Sequence, residues 1–538
     1  MNTCTISRLK GLSLCLFAVL LGMFICQDIP ISHINLTTHT VGMTTDPITG
    51  GMTAHNKTIK ETLLDCVNIF KTRIGAYDRP VRDLIWKARY HIFGMNASGY
   101  QFISVLFFGL LIWMIYAFCE RFFNSSIFGI LASLFYIFSP PLWQLIPCLE
   151  EISVLQELLV IVPFYLFLGY YLKTNTQAKV NTKTFLINNL AILFFSLLAI
   201  QTKGSAKIIL PVLFTFVLID DRKRIRSYVW LFLALALISA PVLGSIYNLF
   251  AGISVPHEIQ LDARKIYKLL FTNPDYTPIF GSSLFSSATL FLLVPAGLGM
   301  FFMFFKRRLT KLNIFFIEDL SKKVAEKRIL IFVSLWFIFS VLLYIGYPPE
   351  SEPRYLSSCL VPFAMLLVFF IRFLYFSFKR KYRYVAGLII IILSVMALAM
   401  NAHKVYQVRA AHWSYSFAQE KVKYFIEKEE AARNSIIYGD VELVTVSQID
   451  STNTYVLRIP GNDELKATAD KMGKVYVVKC YTPLDPEKYD KKIQLLTIIN
   501  GESDTYFDRL KNLIYKKLTS LKKPAVYRNY YVYKLVRD

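Results

Sequence analysis

The sequence predicts an α-helical polytopic membrane protein of about eleven transmembrane helices with a C-terminal extracytoplasmic α/β domain. Three observations predict it. The chain is 55% hydrophobic over 538 residues, with a mean hydropathy of +0.44, well above what soluble domains carry. Apolar runs of spanning length recur through residues 1–400. Beyond residue 401 these runs give way to short β-rich stretches between polar segments.

The first apolar run, "GLSLCLFAVLLGMFIC" (residues 11–26), follows Arg8 and Lys10. It lacks a small-x-small cleavage site, and further spans follow, so it reads as a retained signal anchor. Residues 27–100 form a long first outer loop. Two stretches in it, "NKTIKETLLDCVNIF" and "PVRDLIWKARYHIFG", place apolar residues at helical spacing among charges. Each is too short and too charged to span, which fits helices lying on the membrane surface. Further spans are expected near 101–119, 127–145, 153–172, 184–200, 205–220, 227–247, 286–305, 329–346, 356–377 and 383–400.

Residues 401–538 are expected to be an extracytoplasmic α/β domain. "SYSFAQEKVKYFIEKEEAARN" reads as an amphipathic helix, and "SIIYGD", "NTYVLRI", "KVYVVKCY" and "NYYVYKLV" read as strands. This part has no glycine-rich phosphate loop and no repeat, so no nucleotide site is assigned to it.

Charge sets the orientation. The formal net charge is +23, but in a polytopic protein basic residues collect in cytoplasmic loops, so nucleic acid is not inferred. "DDRKRIRS" (220–227), "KRRLTK" (306–311), "KKVAEKR" (322–328) and "KRKYR" (379–383) fall on one side of the predicted membrane. That side is read as cytoplasmic, which puts the N-terminus inside and the C-terminal domain outside. The eight cysteines include no CxxC pair and read as buried apolar residues.

The loops on the other side mix acids and bases. Asp28 ends the first span. "CLEEISVLQE" places Glu150, Glu151 and Glu157 at the start of the fourth. "IQTKGSAK" places Lys203 in a tight turn between the fifth and sixth, and "YPPESEPRYLSS" places Arg354 and Tyr355 at the head of a late span. Charges at membrane level cost about 2.5–3.5 kcal/mol each, which makes them functional candidates. Helix ends also carry charges that merely reach for water. Lys203 stands out, because the positive-inside bias works against a lysine in a short outer turn. An acid to take the proton of an acceptor hydroxyl, and cations to hold a departing phosphate, suit transfer of a lipid-linked sugar.

Four stretches carry a family resemblance: "QDIP" after the first span, "YDRPVRDLIWKARYHIFGMNASGYQFISVLFFGLL", "AIQTKGSAKIILPVLF" and "EPRYLSSCLVPFAMLL". Their order resembles the GT-C superfamily of polytopic glycosyltransferases, in the branch of protein O-mannosyltransferases and the aminoarabinose transferase of lipid A. The resemblance implies a polyprenyl-phosphate-linked sugar donor and a lipid, glycan or protein acceptor, met at the outer face of a cell inner or plasma membrane. It implies Asp28 as the base, with Asp78 as the fallback. It turns Lys203 and Arg354 toward the donor phosphate, with Tyr355, Arg79, Glu150 and Glu151 completing the substrate-binding set. No cofactor is assigned, and a divalent metal near Glu150 and Glu151 is left open.

The sequence also departs from the family. Gln27, not a second acid, precedes Asp28, and Gly204 stands where relatives often have Glu. The "WWDYG"-type motif of oligosaccharyltransferases is absent. The rival readings are a transporter or flippase of lipid-linked sugars, a polymerase of them, and a scaffold that displays the outer domain. The absence of repeated halves and the gathering of charge at one face favour the transferase.

Overall fold

The computed structural model describes residues 3–26, 60, 63–64, 80–93, 97–139, 142–145, 151–174, 182–250, 324–345, 357–377, 382–428, 436–439, 454–456, 475–480, 484, 493–500 and 529–535. These residues are mostly helical. In order they form α1 (Thr3–Cys26), α2 (Pro80–Phe93), α3 (Ala97–Phe123), α4 (Ser126–Ile137), α5 (Leu142–Leu145), α6 (Glu151–Thr174) and α7 (Thr182–Thr202). A 3-10 helix (Gly204–Ile208) leads into α8 (Ile209–Asp220), and a 3-10 turn (Arg222–Arg224) leads into α9 (Ile225–Phe250). Then come α10 (Val324–Ile345), α11 (Ser357–Ser377) and α12 (Arg383–Lys428). The strands are β1 (Ile436–Gly439), β2 (Thr454–Val456), β3 (Val475–Cys480), β4 (Ile493–Asn500) and β5 (Asn529–Leu535).

Among the described residues, four helical segments are long and apolar enough to cross a membrane: Gln101–Phe123, Ser153–Thr174, Thr182–Thr202 and Arg383–Ala402. Two expected spans are divided. The stretch 127–145 splits into α4 and α5, because Pro140 and Pro141 between them cannot continue a helix. The indole of Trp143 donates to the carbonyl of Ile137 at 2.6 Å, satisfying the end of α4. The stretch 205–220 is a 3-10 helix followed by the 12-residue α8. The expected span at 286–305 lies outside the described residues, as does most of the first surface helix. The second surface helix corresponds to α2.

Side-chain contacts order the bundle. α1 runs antiparallel to α3, and glycines let the two approach closely. A Cβ on Gly109 would lie 2.6 Å from Val19, and one on Gly22 would lie 2.8 Å from Val105. Aromatic edge-to-face contacts bind the centre. Phe164 meets Trp336 at 4.8 Å and Phe332 at 5.2 Å, joining α6 to α10.

One end of the bundle is basic. The guanidinium of Arg328 at the start of α10 donates to Asp220 at the end of α8, at 2.7 Å. The hydroxyl of Tyr171 on α6 donates to the other oxygen of Asp220, also at 2.7 Å. Arg224, before α9, lies over the Tyr171 ring at 5.0 Å and donates to Thr174 at 3.2 Å. Arg121 near the end of α3 lies over Tyr165 at 4.6 Å, and Gly169 leaves room for it. Arg372 of α11 donates to the carbonyl of Phe123 and lies over Phe128 at 5.4 Å. Asp220 and Arg224 of one segment that the charge pattern assigns to one membrane side, and Arg328 of another, therefore meet at this end.

The strands form a mixed sheet of order β2-β1-β3-β5-β4. β1 is parallel to β2 and β3, and β5 is antiparallel to β3 and β4, with an irregularity between Leu495 and Thr497. Tyr438, Val475, Val477, Leu484 and Tyr533 are buried together on it. β1, β2, β3 and β5 fall on the stretches read as strands, whereas β4, "IQLLTIIN", had no strand expectation. α12 packs against β4 and β5.

Candidate functional site

The end opposite the basic one holds a buried polar cluster. It is built around the connection between α7 and α8. Thr202 closes α7 by donating its hydroxyl to the carbonyl of Leu198 at 2.7 Å. The N–H of Lys203 makes the last turn of the helix, donating to Ala199 at 3.0 Å. Lys203 then turns extended, with φ −157° and ψ 134°, and the chain re-enters helical geometry as the 3-10 helix Gly204–Ile208. Pro211 sits in the first turn of α8, where a missing N–H is tolerated.

Two hydrogen bonds fasten this turn to α6. Lys203 Nζ donates to Ser153 Oγ at 2.8 Å. Ser205 Oγ donates to Gln156 Oε1 at 2.8 Å. Ser153 and Gln156 are three apart and share a helix face, so the turn is held on both sides of Gly204. Lys203 is 8% exposed, Ser153 2%, Ser205 5% and Gln156 1%. A charge so enclosed needs this hydrogen bonding, and a hydrogen bond to a charged group contributes about 1.5–3 kcal/mol.

One turn further along α6, Glu157 Oε2 accepts from the hydroxyl of Tyr136 at 2.6 Å. Glu157 is 3% exposed and Tyr136 1%. At the start of α3, Ser104 accepts from the buried guanidinium of Arg89 on α2, at 3.2 Å. α2 packs against α3 and α7, which puts this second buried cation at the same end as Lys203. Two buried cations, Lys203 and Arg89, and one buried acid, Glu157, thus lie toward this end of the bundle.

Of the residues expected from the sequence, Lys203 is described, and it lies at the centre of the cluster. Glu151 opens α6. Asp28, Asp78, Arg79, Glu150, Arg354 and Tyr355 lie outside the described residues. The sequence reading missed Ser153, Gln156, Ser205, Tyr136 and Arg89. Ser153 and Gln156 had a signal, the polar stripe Ser153-Gln156-Glu157 inside an otherwise apolar span. Among the described residues, no three His, Cys, Asp or Glu side chains come together to hold a metal ion.

No protein-family model matches the chain, and no curated protein matches it. Among solved structures it is similar to the oligosaccharyltransferase of Archaeoglobus fulgidus, determined tethered to an acceptor peptide containing the NVT sequon. The likeness has 11% sequence identity and a TM-score of 0.45, and covers 87% of this chain and 68% of that one.

Proposed function

We propose that the chain is a membrane glycosyltransferase that moves a sugar from a polyprenyl-phosphate-linked donor to a lipid, glycan or protein acceptor on the outer face of the membrane. The observation that carries this reading is Lys203: a nearly enclosed ammonium held by Ser153 at 2.8 Å, at the end of the bundle away from the basic loops. The four family-like stretches support it. The basic end is taken as cytoplasmic, which puts the Lys203 cluster and residues 401–538 outside.

The chemistry assigns each residue a task. The Asp28 carboxylate accepts the proton of the acceptor hydroxyl as its oxygen attacks the anomeric carbon. The bond from that carbon to the phosphate oxygen breaks, and the leaving polyprenyl phosphate keeps the electron pair. Lys203 and Arg354 stabilise the charge that develops there. Tyr355, Arg79, Glu150 and Glu151 line the substrate. Asp78 is the fallback base.

The test is transfer by the purified protein in nanodiscs, supplied with a panel of radiolabelled polyprenyl-phosphate sugars and co-purifying lipids and glycans. The expected result is label in an acceptor, falling about 10²-fold or more in Asp28→Asn. A wild-type protein that binds no lipid-linked sugar and moves no label would end the reading.

A further inference from the structure

The connection between α8 and α9 carries Asp220, Asp221, Arg222, Lys223 and Arg224, and α9 adds Arg226. Inner cations neutralise both acids. Arg328 pairs with Asp220 at 2.7 Å, and Arg224 with Asp221 at 3.4 Å. Asp221 also accepts the main-chain N–H of Lys223 at 3.1 Å, which fixes the turn. Arg222, Lys223 and Arg226 are left over. All three are exposed, and among the described residues their side chains make no hydrogen bond or ion pair.

α9 itself has two faces. The inner one buries Tyr228, Leu231 and Leu235, with the Tyr228 ring 5.4 Å from Phe167 of α6. Arg226, Trp230, Leu233 and Leu237 follow one another at spacings of four, three and four, which places them on the opposite face. All four are exposed, Trp230 at 82%. At 1.5 Å per residue the stripe from Arg226 to Leu237 runs about 16 Å, close to half of the ~30 Å of bilayer hydrocarbon. Its order is cation, indole, then aliphatic side chains. Tryptophan favours the boundary between headgroups and acyl chains, where its ring is covered and its N–H stays near polar groups.

We infer that this flank of α9 binds one anionic phospholipid from the leaflet at the basic end of the bundle. The phosphodiester rests against Arg222, Lys223 and Arg226, Trp230 lies at the glycerol level, and an acyl chain follows Leu233 and Leu237. Three uncompensated cations call for an anion, and the apolar stripe one leaflet deep calls for a long hydrocarbon tail on the same molecule. A zwitterionic lipid brings its own cation to the three already there and fits less well. This lipid site depends on residues 227–247 crossing the membrane, and not on sugar transfer.

The full chain, stripped of lipid in detergent, is titrated separately with phosphatidylglycerol and phosphatidylcholine, and native mass spectrometry counts the bound lipid. Wild type is expected to retain one phosphatidylglycerol about tenfold more tightly than phosphatidylcholine. Arg222→Gln with Arg226→Gln is expected to weaken phosphatidylglycerol about tenfold, and Trp230→Ala to weaken it about threefold or more. Arg8→Gln with Lys10→Gln removes as many exposed cations from the start of α1, at the same end, and is expected to change binding less than about twofold. None of the substituted cations has a partner to lose, so the melting temperatures without lipid stay at the wild-type value. Equal retention of the two lipids, an α9 double variant that binds like wild type, or equal losses in the two double variants would overturn the site. The last result would assign the attraction to the charge of the whole surface. None of these results bears on the transferase reading, which the labelled-sugar assay tests by itself.

Discussion

Replacing Arg328 by methionine tests whether the basic end is a set of specific contacts or only a solvated surface. Asp220 accepts from Arg328 and from Tyr171, each at 2.7 Å. The two side chains of the ion pair are 22% and 9% exposed, Arg328 and Asp220 respectively. A fully exposed pair contributes about 0–1 kcal/mol, and breaking a fully buried one costs about 3–5 kcal/mol. This pair lies between those limits, and Tyr171 still satisfies one carboxylate oxygen after the change. The expected loss is about 2 kcal/mol. Asp220→Asn should cost less, about 1 kcal/mol, because Arg328 keeps a neutral acceptor. The double variant should lose clearly less than the sum, with a coupling of about 1 kcal/mol. With the other six cysteines replaced by serine, a thiol-reactive dye reads unfolding, because Cys119 and Cys359 are both 0% exposed and react only when the bundle opens. At roughly 2 °C per kcal/mol for a large domain, Arg328→Met lowers the melting temperature by about 4 °C. A melting temperature unchanged by Arg328→Met, or a double variant that sums without coupling, would show that the pair holds nothing together.

Other outcomes rest on single contacts. Gly109→Val forces α1 from α3, since even a Cβ would lie 2.6 Å from Val19, and should cost about 1–3 kcal/mol; the same dye assay reads it, and an unchanged melt would refute the close seam. Tyr533→Phe removes the hydroxyl that accepts the N–H of Leu484 at 2.8 Å, leaving a buried donor at a cost of about 1–3 kcal/mol, read by proteolysis of the C-terminal region. Burial pushes the Tyr533 hydroxyl up, ahead of the lowering by the Leu484 N–H. Its folded value thus lies above the unfolded one near 10, so its contribution is whole below about pH 10 and fades as pH rises beyond. Wild type should show that alkaline loss and Tyr533→Phe should not. A reporter active only outside the membrane should work at the C-terminus and fail at residue 224; the reverse would move the Lys203 cluster to the cytoplasm.

How much of this was legible in the sequence depends on the range of the forces involved. The helices with long apolar windows, such as Ser153–Thr174 and Arg383–Ala402, were legible because hydropathy over one span is a local property. α2 was legible from its amphipathic spacing. The break between α4 and α5 was written in Pro140-Pro141 but hidden by the apolar residues on both sides. β4 was missed because "IQLLTIIN" comes after the charged stretch "DPEKYDKK" and lacks the alternation of a half-buried strand. Lys203 was legible from its position against the charge bias. Its partners were not: Ser153 is 50 residues away, and Gln156 lies 49 from Ser205. Hydrogen bonds at that separation belong to the packing of α6 on α7 and α8, which no local window contains.

α12 is a single helix of 46 residues, of which Arg383–Ala402 is the part apolar enough to cross a membrane. At 1.5 Å per residue the remainder, to Lys428, extends about 39 Å beyond. Because β4 and β5 pack against this helix, its length and its rotation are linked like the pitch of a screw. Adding one residue after Ala402 would lift the rest of the helix, and the sheet packed on it, by about 1.5 Å and turn them by about 100°. Adding seven would raise them by about 10 Å and return them almost to their original bearing. The helix is thus both a ruler and a compass for the sheet. Evolution can change the height of the sheet without changing the direction it faces only by inserting or deleting close to whole turns.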